Sequence, residues 1–258
     1  MYLKGYKIMK KRILKVFIIL FMIICIIGMI YYSYKIFTWK KDVKENKEIH
    51  EEIIKFVNKE EEIIKEEKKN KYKIDFDSLK KKNSDTVAFI KVNNTSINHI
   101  VVKGNDNDYY LHHNFNKKWS GAGWVFADYH NKLDESDKNI VIYGHSMKDG
   151  TMFGTLRNVV KKEWYENKNN YLIDFVTPNG EYTYQVFSVY VIKEENYYIN
   201  TKIKNNKEFN KFVNRLKSRS KYNFNVNVDG NDKILTLSSC YDNIDRRVVL
   251  HAKLIKTD

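Results

Sequence analysis

An uncharged run of nineteen residues, 16–34, constrains this chain more than any other stretch of its sequence. At about 1.5 Å per residue, a helix of that length nearly spans a hydrocarbon core of ~30 Å. A buried core helix is one alternative, but such helices rarely lack a polar face over about five turns. A cleaved signal peptide is another, but its apolar part is usually shorter and ends in a small-x-small site, which the closing Tyr-Tyr-Ser-Tyr does not offer. The run therefore predicts an uncleaved transmembrane signal-anchor.

This anchor predicts how the rest of the chain is organised. Residues 1–15 form a short basic N-terminus in the cytoplasm, residues 16–34 cross the membrane, residues 35–84 form a helical stalk, and residues 85–258 form an outer domain. Lysines flank the run on both sides, so charge alone is a weak guide to orientation. A very short N-terminus inside and a long domain outside is the usual arrangement. We therefore expect a single-pass protein of the cell membrane, with the lipid bilayer as a partner.

A net charge of +14 is typical of proteins that bind nucleic acid, but the distribution of this charge along the chain argues against such a partner. The first 40 residues carry eight Lys and Arg and no Asp or Glu, which leaves 38 basic against 32 acidic residues in the remainder. Much of the excess therefore lies beside the apolar run rather than on a polyanion-binding domain. We predict no nucleic-acid partner.

Residues 42–73 are highly charged and carry apolar residues at helical spacing. This spacing predicts one or two amphipathic helices, with a solvated spacer as the alternative. The apolar positions are Ile49, Ile53, Phe56, Val57, Ile63 and Ile64.

From Asp85 onward the chain consists of short β-rich runs separated by turn residues. Two helical stretches, 153–166 and 207–218, interrupt them. Many strands without a βαβ rhythm predict a mainly β fold, either an antiparallel barrel or a sandwich, with helices on its outside. The predicted strands are residues 87–92, 97–102, 124–127, 140–143, 171–175, 182–192, 234–239 and 248–255.

The chain has two cysteines, and only one lies in the predicted outer domain. Cys25 is inside the apolar run, which leaves Cys240 alone in the remainder. No intramolecular disulfide can form there, and an unpaired cysteine in an oxidising setting is a liability unless its thiol is used. The structural alternative is a small buried hydrophobe, which lone cysteines more often are.

Cys240 ends a predicted strand, and two further residues hold comparable positions. His145 follows the strand at 140–143 after Gly144, which would allow a tight turn that aims the ring. Arg247 begins the last strand, so its guanidinium is expected near the loop that starts at Cys240. Acyl transfer uses such a set: a thiolate attacks a carbonyl, an imidazolium protonates the leaving amine, and a cation stabilises the oxyanion or holds the substrate. The histidine and the arginine each have a structural alternative as well.

The sequence around these residues resembles that of the sortases, the membrane-anchored cysteine transpeptidases of Gram-positive cell walls. The stretch TLSSC at 236–240 is close to the TLxTC signature, with Ser239 in place of the usual threonine. The stretch YGH at 143–145 resembles the family's histidine motif, and Arg247 before two valines resembles its arginine strand. The resemblance runs from about residue 85 to the C-terminus.

This resemblance implies a fold and a set of roles. The implied fold is a closed antiparallel sortase-type β-barrel of about eight strands, with peripheral α-helices and an N-terminal helical appendage. Cys240 is implied as the nucleophile, His145 as the general acid and base, and Arg247 as the group that stabilises the oxyanion or the substrate. No cofactor or metal is implied.

Two further segments resemble class B members of the family: NDYYLHH at 107–113 and NYYI at 196–199. The N-terminal helices and the helix at 207–218 do so as well. By that similarity the substrate is a C-terminal sorting signal of the NPxTx kind, cleaved after threonine. The implied partners are surface proteins that carry the signal and an amine of a peptidoglycan precursor or cross-bridge, or a pilin lysine. The residues implied to line the groove for the signal are Asn107, Leu111, Tyr198, Ile199 and Ser238.

Two assignments within the site are open at this point. Arg246 and Arg247 are adjacent, and strand alternation points them to opposite faces. Arg247 is preferred because it keeps the family's contact with the two valines. Asp242 is a further candidate, as a group that orients His145.

Other functions are weighed against this one. His112, His113 and His130 lack the spacing of a zinc module, and adjacent histidines on a strand point opposite ways. A cysteine endopeptidase would share the thioester step and release its product to water, but papain-like enzymes place the cysteine before the histidine and no caspase-type QACxG stretch occurs. The rival from another class is a non-catalytic, membrane-anchored surface scaffold.

Overall fold

The computed structural model describes residues 2–59, 71–134, 136–193, 195–240 and 246–257. The chain divides into two compact units, Met1–Glu45 and Asn46–Asp258. Residues 85–258, the predicted outer domain, all fall within the second unit, which also includes residues 46–84.

The first unit is helical throughout its described part. Helix α1 runs Tyr2–Ile53, so its last residues belong to the second unit. The large apolar side chains from Ile13 to Trp39 are between 46% and 68% exposed. The helical segment Arg12–Phe56 is long and apolar enough to cross a membrane, with a mean hydropathy of 3.1 in its most apolar window. Length and composition therefore fit a membrane anchor or a signal sequence.

The start of the second unit is only partly helical, unlike the predicted stalk. Ile49 and Ile53 at the end of α1 are buried, and a short 3₁₀ turn follows at Ile54–Phe56. Strand β1 (Val57–Lys59) then pairs antiparallel with β2 (Tyr72–Ile74), so Val57 belongs to a hairpin rather than to a helix. Its β-branched side chain favours the extended backbone once a partner strand is available. Ile63 and Ile64 lie outside the described residues.

The β1–β2 hairpin is fastened to the rest of the unit by buried carboxylates. Glu181 accepts hydrogen bonds from the backbone N–H groups of Lys71 and Tyr72, at 3.0 and 2.7 Å. Asp174 accepts from the Tyr72 hydroxyl at 2.7 Å. Helix α2 (Phe76–Lys82) follows, and its N-cap Asp75 accepts from the Ser78 backbone N–H at 2.9 Å. These contacts make residues 71–84 part of one packed body with the strands that follow.

The remaining strands close into one barrel in the order β10-β8-β7-β3-β4-β5-β6-β9. The predicted closed barrel of about eight strands is therefore confirmed, and every predicted strand is present with ends that shift by at most two residues. The strands are β3 (Thr86–Val92), β4 (Asn98–Val102), β5 (Phe126–Ala127), β6 (Asn139–Tyr143), β7 (Leu172–Thr177), β8 (Gly180–Lys193), β9 (Ile234–Cys240) and β10 (Arg246–Thr257).

The barrel is mixed rather than wholly antiparallel. Two neighbouring pairs, β4 with β5 and β6 with β9, are parallel, and the other pairs are antiparallel. Parallel neighbours need a crossover of a dozen or more residues, and both connections here are long enough to cross an end of the barrel. Hydrophobic alternation reports which face is buried and not the direction of a partner strand, so the sequence did not reveal this feature.

The helices pack on the outside of the barrel, as predicted. Helix α4 (Asn206–Ser218) is capped by Asn205, which accepts from the Glu208 backbone N–H at 2.9 Å. Its buried face forms a second apolar cluster with outward residues of the barrel such as Ile234 and Val249. The buried side chains of this helix are Phe209, Phe212, Val213 and Leu216.

The predicted helix at 153–166 is wrong as a single element. A 3₁₀ helix (Gly154–Val160) and helix α3 (Lys162–Glu166) are separated by Lys161, which is extended at φ −85° and ψ 148°. The carbonyl of Val160 accepts from the Lys221 ammonium at 2.9 Å and the Tyr222 hydroxyl at 3.0 Å. Because these bonds occupy the carbonyl that a continuous helix would use, the backbone turns at this point.

Candidate active site

The strand β6 leads directly to His145, and the intervening Gly144 is required by packing. A Cβ on Gly144 would lie 2.7 Å from Cγ of Phe153, whose ring is fully buried. The Phe153 backbone N–H donates to the His145 carbonyl at 2.9 Å, and Arg157 donates to the Ser146 hydroxyl at 2.6 Å. The glycine therefore serves a close approach of an aromatic ring, rather than the aiming turn expected from the sequence.

The half-buried ring of His145 is oriented by a backbone carbonyl. Its Nε2 lies 2.9 Å from the carbonyl oxygen of Leu111. Since a carbonyl can only accept, this bond requires the proton on Nε2 and leaves the lone pair on Nδ1. Burial lowers the pKa of His145 below its usual 6.5; the bond to Leu111 opposes this shift, and the positive charges of His112 and Arg247 add to it. The imidazole of His145 is therefore neutral near pH 7, with its lone pair on Nδ1.

Cys240 and Arg247 are brought together by the pairing of β9 with β10. The two residues are Cα partners in this antiparallel register. Strand β9 also lies beside β6, and the Ser239 hydroxyl donates to the Gly144 carbonyl at 2.6 Å. The residue before Cys240 is thus tied to the residue before His145.

The two adjacent arginines occupy different environments. Arg246 is exposed, whereas Arg247 is half-buried and lines the same groove as His145. This difference favours Arg247 as the arginine of the site. Asp242, the candidate for orienting His145, lies outside the described residues.

A groove with a volume of about 230 Å³ opens beside His145 and Arg247. All five residues expected to line a substrate groove are among its lining residues: Asn107, Leu111, Tyr198, Ile199 and Ser238. Sequence reasoning missed Phe126 and Glu195. Phe126 lies in a strand of two residues and Glu195 follows a long one, so neither had a local pattern to mark it.

One part of this lining recurs below and is named here the groove segment, residues 195–200. Four of its members line the groove, and it contains the short 3₁₀ turn Tyr197–Ile199. The Tyr198 hydroxyl lies 3.1 Å from the Ser238 hydroxyl, which links the segment to strand β9.

Asn107 is held by a buried carboxylate beneath the groove. Its amide nitrogen donates to Asp128 at 2.8 Å, and its amide oxygen accepts from the Tyr129 backbone N–H at 3.0 Å. The same carboxylate oxygen of Asp128 accepts from the Tyr143 hydroxyl at 2.9 Å. Burial and the nearby charge of Asp128 raise the pKa of Tyr143, so this hydroxyl stays protonated. The amide orientation of Asn107 is therefore fixed.

Two of the histidines weighed as metal ligands, His113 and His130, take part in local contacts instead. His113 Nδ1 lies 2.7 Å from the Tyr109 carbonyl oxygen, and His130 Nδ1 lies 2.8 Å from an Asp128 carboxylate oxygen. Within the part of the chain that the structure describes, no group of three or more His, Cys, Asp and Glu residues is arranged to hold a metal ion.

Comparison with known proteins decides the family. A family model described as the sortase domain matches residues 90–255. Sortase B of Staphylococcus aureus is 32% identical over 250 residues, which cover 94% of this chain and 98% of that protein. This chain belongs to the sortase family. It is therefore a sortase-type cysteine transpeptidase, and the resemblance to class B is confirmed.

Solved structures agree with this assignment. Sortase B from Bacillus anthracis in complex with AAEK1 superposes with a TM-score of 0.72 at 32% identity, covering 84% of this sortase and 99% of that chain. A Staphylococcus aureus sortase B–substrate complex gives a TM-score of 0.66 at 37% identity, covering 70% of this sortase and 84% of that chain. Sortases act on sorting signals and on amine nucleophiles, so these are the substrate classes of the family.

Proposed function

We propose that this sortase cleaves an NPxTx-like sorting signal after its threonine and transfers the surface protein to a cell-wall or pilin amine, with Cys240 as the nucleophile. The observation that carries the proposal is the meeting of three elements at one groove. His145 and Arg247 both line it, and Cys240 is the register partner of Arg247. The substrate complex of a similar sortase B supports a peptide as the occupant of this groove.

In the first half-reaction the Cys240 thiol loses its proton to Nδ1 of His145, the nitrogen that the Leu111 bond leaves unprotonated. The thiolate attacks the threonine carbonyl carbon and forms a C–S bond, and the carbonyl electrons move to oxygen. Collapse of this oxyanion breaks the scissile C–N bond, and the proton on Nδ1 moves to the leaving amine. A thioester on Cys240 and a free C-terminal fragment result.

In the second half-reaction an amine attacks the thioester carbonyl. Nδ1 of His145 takes the proton of the attacking nitrogen, a C–N bond forms, and the C–S bond breaks. The proton then returns to the sulfur, which restores the starting enzyme. Arg247 stabilises the negative oxygen in both halves, because a guanidinium is a fixed, planar donor for a developing charge.

We further propose that residues 16–34 anchor the sortase in the membrane, with residues 1–15 inside and the catalytic domain from residue 85 outside. Residues 35–84 connect the two. The high hydropathy of α1 and its exposed apolar side chains support an anchor in lipid. A protein held at the membrane in this way would meet a sorting signal whose own tail is in the same bilayer.

The test uses the full chain in detergent micelles and a library of pentapeptides that contain proline and threonine. With an amine such as triglycine present, we expect cleavage after threonine and a peptide–amine product by mass spectrometry. Cys240→Ala should give neither product nor a trapped acyl-enzyme, and Cys25→Ala, the matched control, should retain both. Cleavage without amine incorporation at saturating amine would indicate an endopeptidase. If no such peptide is cleaved, the substrate assignment is wrong.

A further inference from the structure

A buried row of polar side chains lies between the outer face of the barrel and the layer of α4. Thr236 and His251 are cross-strand partners on β9 and β10, and both are fully buried. The Thr236 hydroxyl lies 2.9 Å from His251 Nδ1, and His251 Nε2 lies 2.9 Å from the Tyr190 hydroxyl. None of these three residues lines the groove.

Both ends of this row reach the groove segment 195–200. At one end the Tyr197 hydroxyl donates to the Tyr190 hydroxyl at 3.2 Å. At the other end Thr236 donates to the Asn139 amide oxygen at 2.7 Å, and the Asn139 amide nitrogen donates to the carbonyls of Tyr198 and Asn200 at 3.4 and 3.1 Å. We call Tyr197, Tyr190, His251, Thr236 and Asn139 the polar relay.

The relay is satisfied by one arrangement of protons. Tyr197 donates to Tyr190, Tyr190 donates to Nε2 of His251, Nδ1–H of His251 donates to Thr236, and Thr236 donates to Asn139. Every member then donates onward to the next acceptor, which requires a neutral imidazole with its proton on Nδ1. Burial lowers the pKa of His251 to about 3, so the imidazole is neutral at any working pH. Hydrogen bonds in such a chain polarise one another and stiffen it.

Helix α4 holds the same segment from its outer side. The Arg215 guanidinium lies 3.7 Å from the centre of the Tyr197 ring. Arg215 and Arg219 each lie 3.8 Å from a carboxylate oxygen of Glu195. These ion pairs are partly exposed and contribute little by themselves. The buried relay is therefore the stronger restraint on the position of the segment.

We propose that the polar relay sets the affinity of this sortase for its sorting peptide, with Asn139 and His251 as positioning residues that hold the groove segment in its binding conformation. This inference rests on the proposed function, because it takes the groove as the peptide site. None of the five relay residues is among the described lining residues of the groove, which include His145 and Arg247, and Cys240 is held by backbone pairing with β10. Loss of the relay should therefore weaken peptide binding and leave the chemical step unchanged.

The experiment compares Tyr190→Phe and Asn139→Ala with Tyr222→Phe in the full chain. Tyr222→Phe is the matched control, since it also removes one tyrosine hydroxyl, and the hydrogen bond that this hydroxyl donates, to the Val160 carbonyl, lies outside the relay. We expect the KM for the peptide to rise about fivefold in Tyr190→Phe, the effect of losing the one neutral hydrogen bond that Tyr190 accepts from Tyr197 of the groove segment, and roughly tenfold or more in Asn139→Ala. Values of kcat should stay within about twofold.

Two further measurements separate positioning from general loosening and from failure of the proposed function. The peptide Kd, measured on a Cys240→Ala background, should rise by the same factors as KM. Hydrogen exchange at residues 195–200 should become faster while that at 143–146 does not change. If Asn139→Ala does not fold, Tyr190→Phe still decides. Unchanged KM and Kd in Tyr190→Phe, or an equal rise in Tyr222→Phe, would overturn the inference. An inactive wild type would instead count against the proposed function.

Discussion

His145 and the groove segment line the same groove, but they are held there by different physical means. The backbone around His145 is held by close contacts. The Phe153 ring packs against Gly144, and the backbone carbonyl of Leu111 fixes the imidazole by a hydrogen bond. We call Leu111, Gly144 and His145 the histidine wall. The groove segment packs its Tyr198 ring into the apolar cluster of α4, and it is also held by polar side chains that reach it from the barrel and from α4.

This difference separates the two tasks of the site. Close packing transmits displacements of a few tenths of an ångström and leaves little freedom, as a proton transfer of defined geometry requires. The groove segment depends in part on a small number of hydrogen bonds, so the loss of one of them changes how well it receives a peptide. We therefore expect substitutions at the histidine wall to act on kcat and substitutions behind the groove segment to act on KM.

The largest expected effect tests the histidine wall at its centre. His145→Ala should lower kcat by about 10²–10⁴-fold, because the leaving amine loses its proton donor. The peptide Kd on a Cys240→Ala background should change little. His112→Ala is the control, since His112 is an exposed neighbour of His145 and should stay within a few-fold of wild type. A loss confined to KM would break the proposed separation of tasks.

Replacement of Arg247 should have the next largest effect. Arg247→Ala should raise the barrier by about 3–4 kcal/mol if the guanidinium meets charge that develops only in the transition state. Arg247→Lys should restore little activity, because a point charge does not reproduce the planar fork. Steady-state kinetics should show the loss in kcat more than in KM.

Arg246 supplies the internal control for that measurement. Arg246→Ala should remain within a few-fold of wild type, since the side chain is exposed and does not line the groove. If Arg246→Ala is the inactive variant and Arg247→Ala the active one, the arginine assignment moves by one residue.

A smaller effect is expected from Gly144→Ala, which tests whether packing holds the histidine wall. The new Cβ would lie 2.7 Å from Cγ of the buried Phe153, so the ring or the backbone must shift. Overpacking of this kind costs about 1–3 kcal/mol of folding free energy. We expect a lower Tm together with a lower kcat. Gly104→Ala is the matched control, because its nearest contacts would be at 3.5 Å, and equal losses in both variants would contradict this view.

The smallest expected effect is a shift in the pH profile. Burial lowers the pKa of His145, so the acid limb of kcat/KM should lie below pH 6.5. His112 and Arg247 lower this pKa further by repulsion of the charged imidazole. Removal of the His112 charge in His112→Ala should therefore move the acid limb upward, and only slightly because His112 is exposed. A downward shift would show that the neighbour acts through some other contact.

Local sequence pattern was sufficient for the strands but not for their arrangement. Alternation and β-branched residues located all eight barrel strands, because these signals report burial on one face. The parallel pairing of β6 with β9 depends on where a long excursion of the chain returns, which no short window contains. The helix predicted at 153–166 failed for a similar reason, since Val160 is bonded to residues about sixty positions away.

The candidate site shows the same division. Residues at strand ends and in short motifs, such as His145 and Arg247, could be selected from sequence because strand ends place reactive groups at a rim. The reason for a glycine at position 144 could not be predicted from sequence. The ring that excludes a side chain there belongs to Phe153, in a later turn of the chain. The polar relay could not be predicted from sequence either, because Asn139 and Thr236 are 97 positions apart and each resembles an ordinary buried strand residue.

The pairing of β6 with β9 also has a consequence for how this enzyme comes into being. Cys240 is added 95 residues after His145, so the chain between them must fold back before the two strands can meet. Contacts of such high sequence separation form late, because loop closure is costly until many of them are made together. In a chain that has not finished folding, the thiol of Cys240 is therefore not yet next to His145. When the unfolded full chain is refolded in detergent, we expect transpeptidase activity to recover only in the slowest phase. Recovery of activity with the earliest change in tryptophan fluorescence would contradict this order.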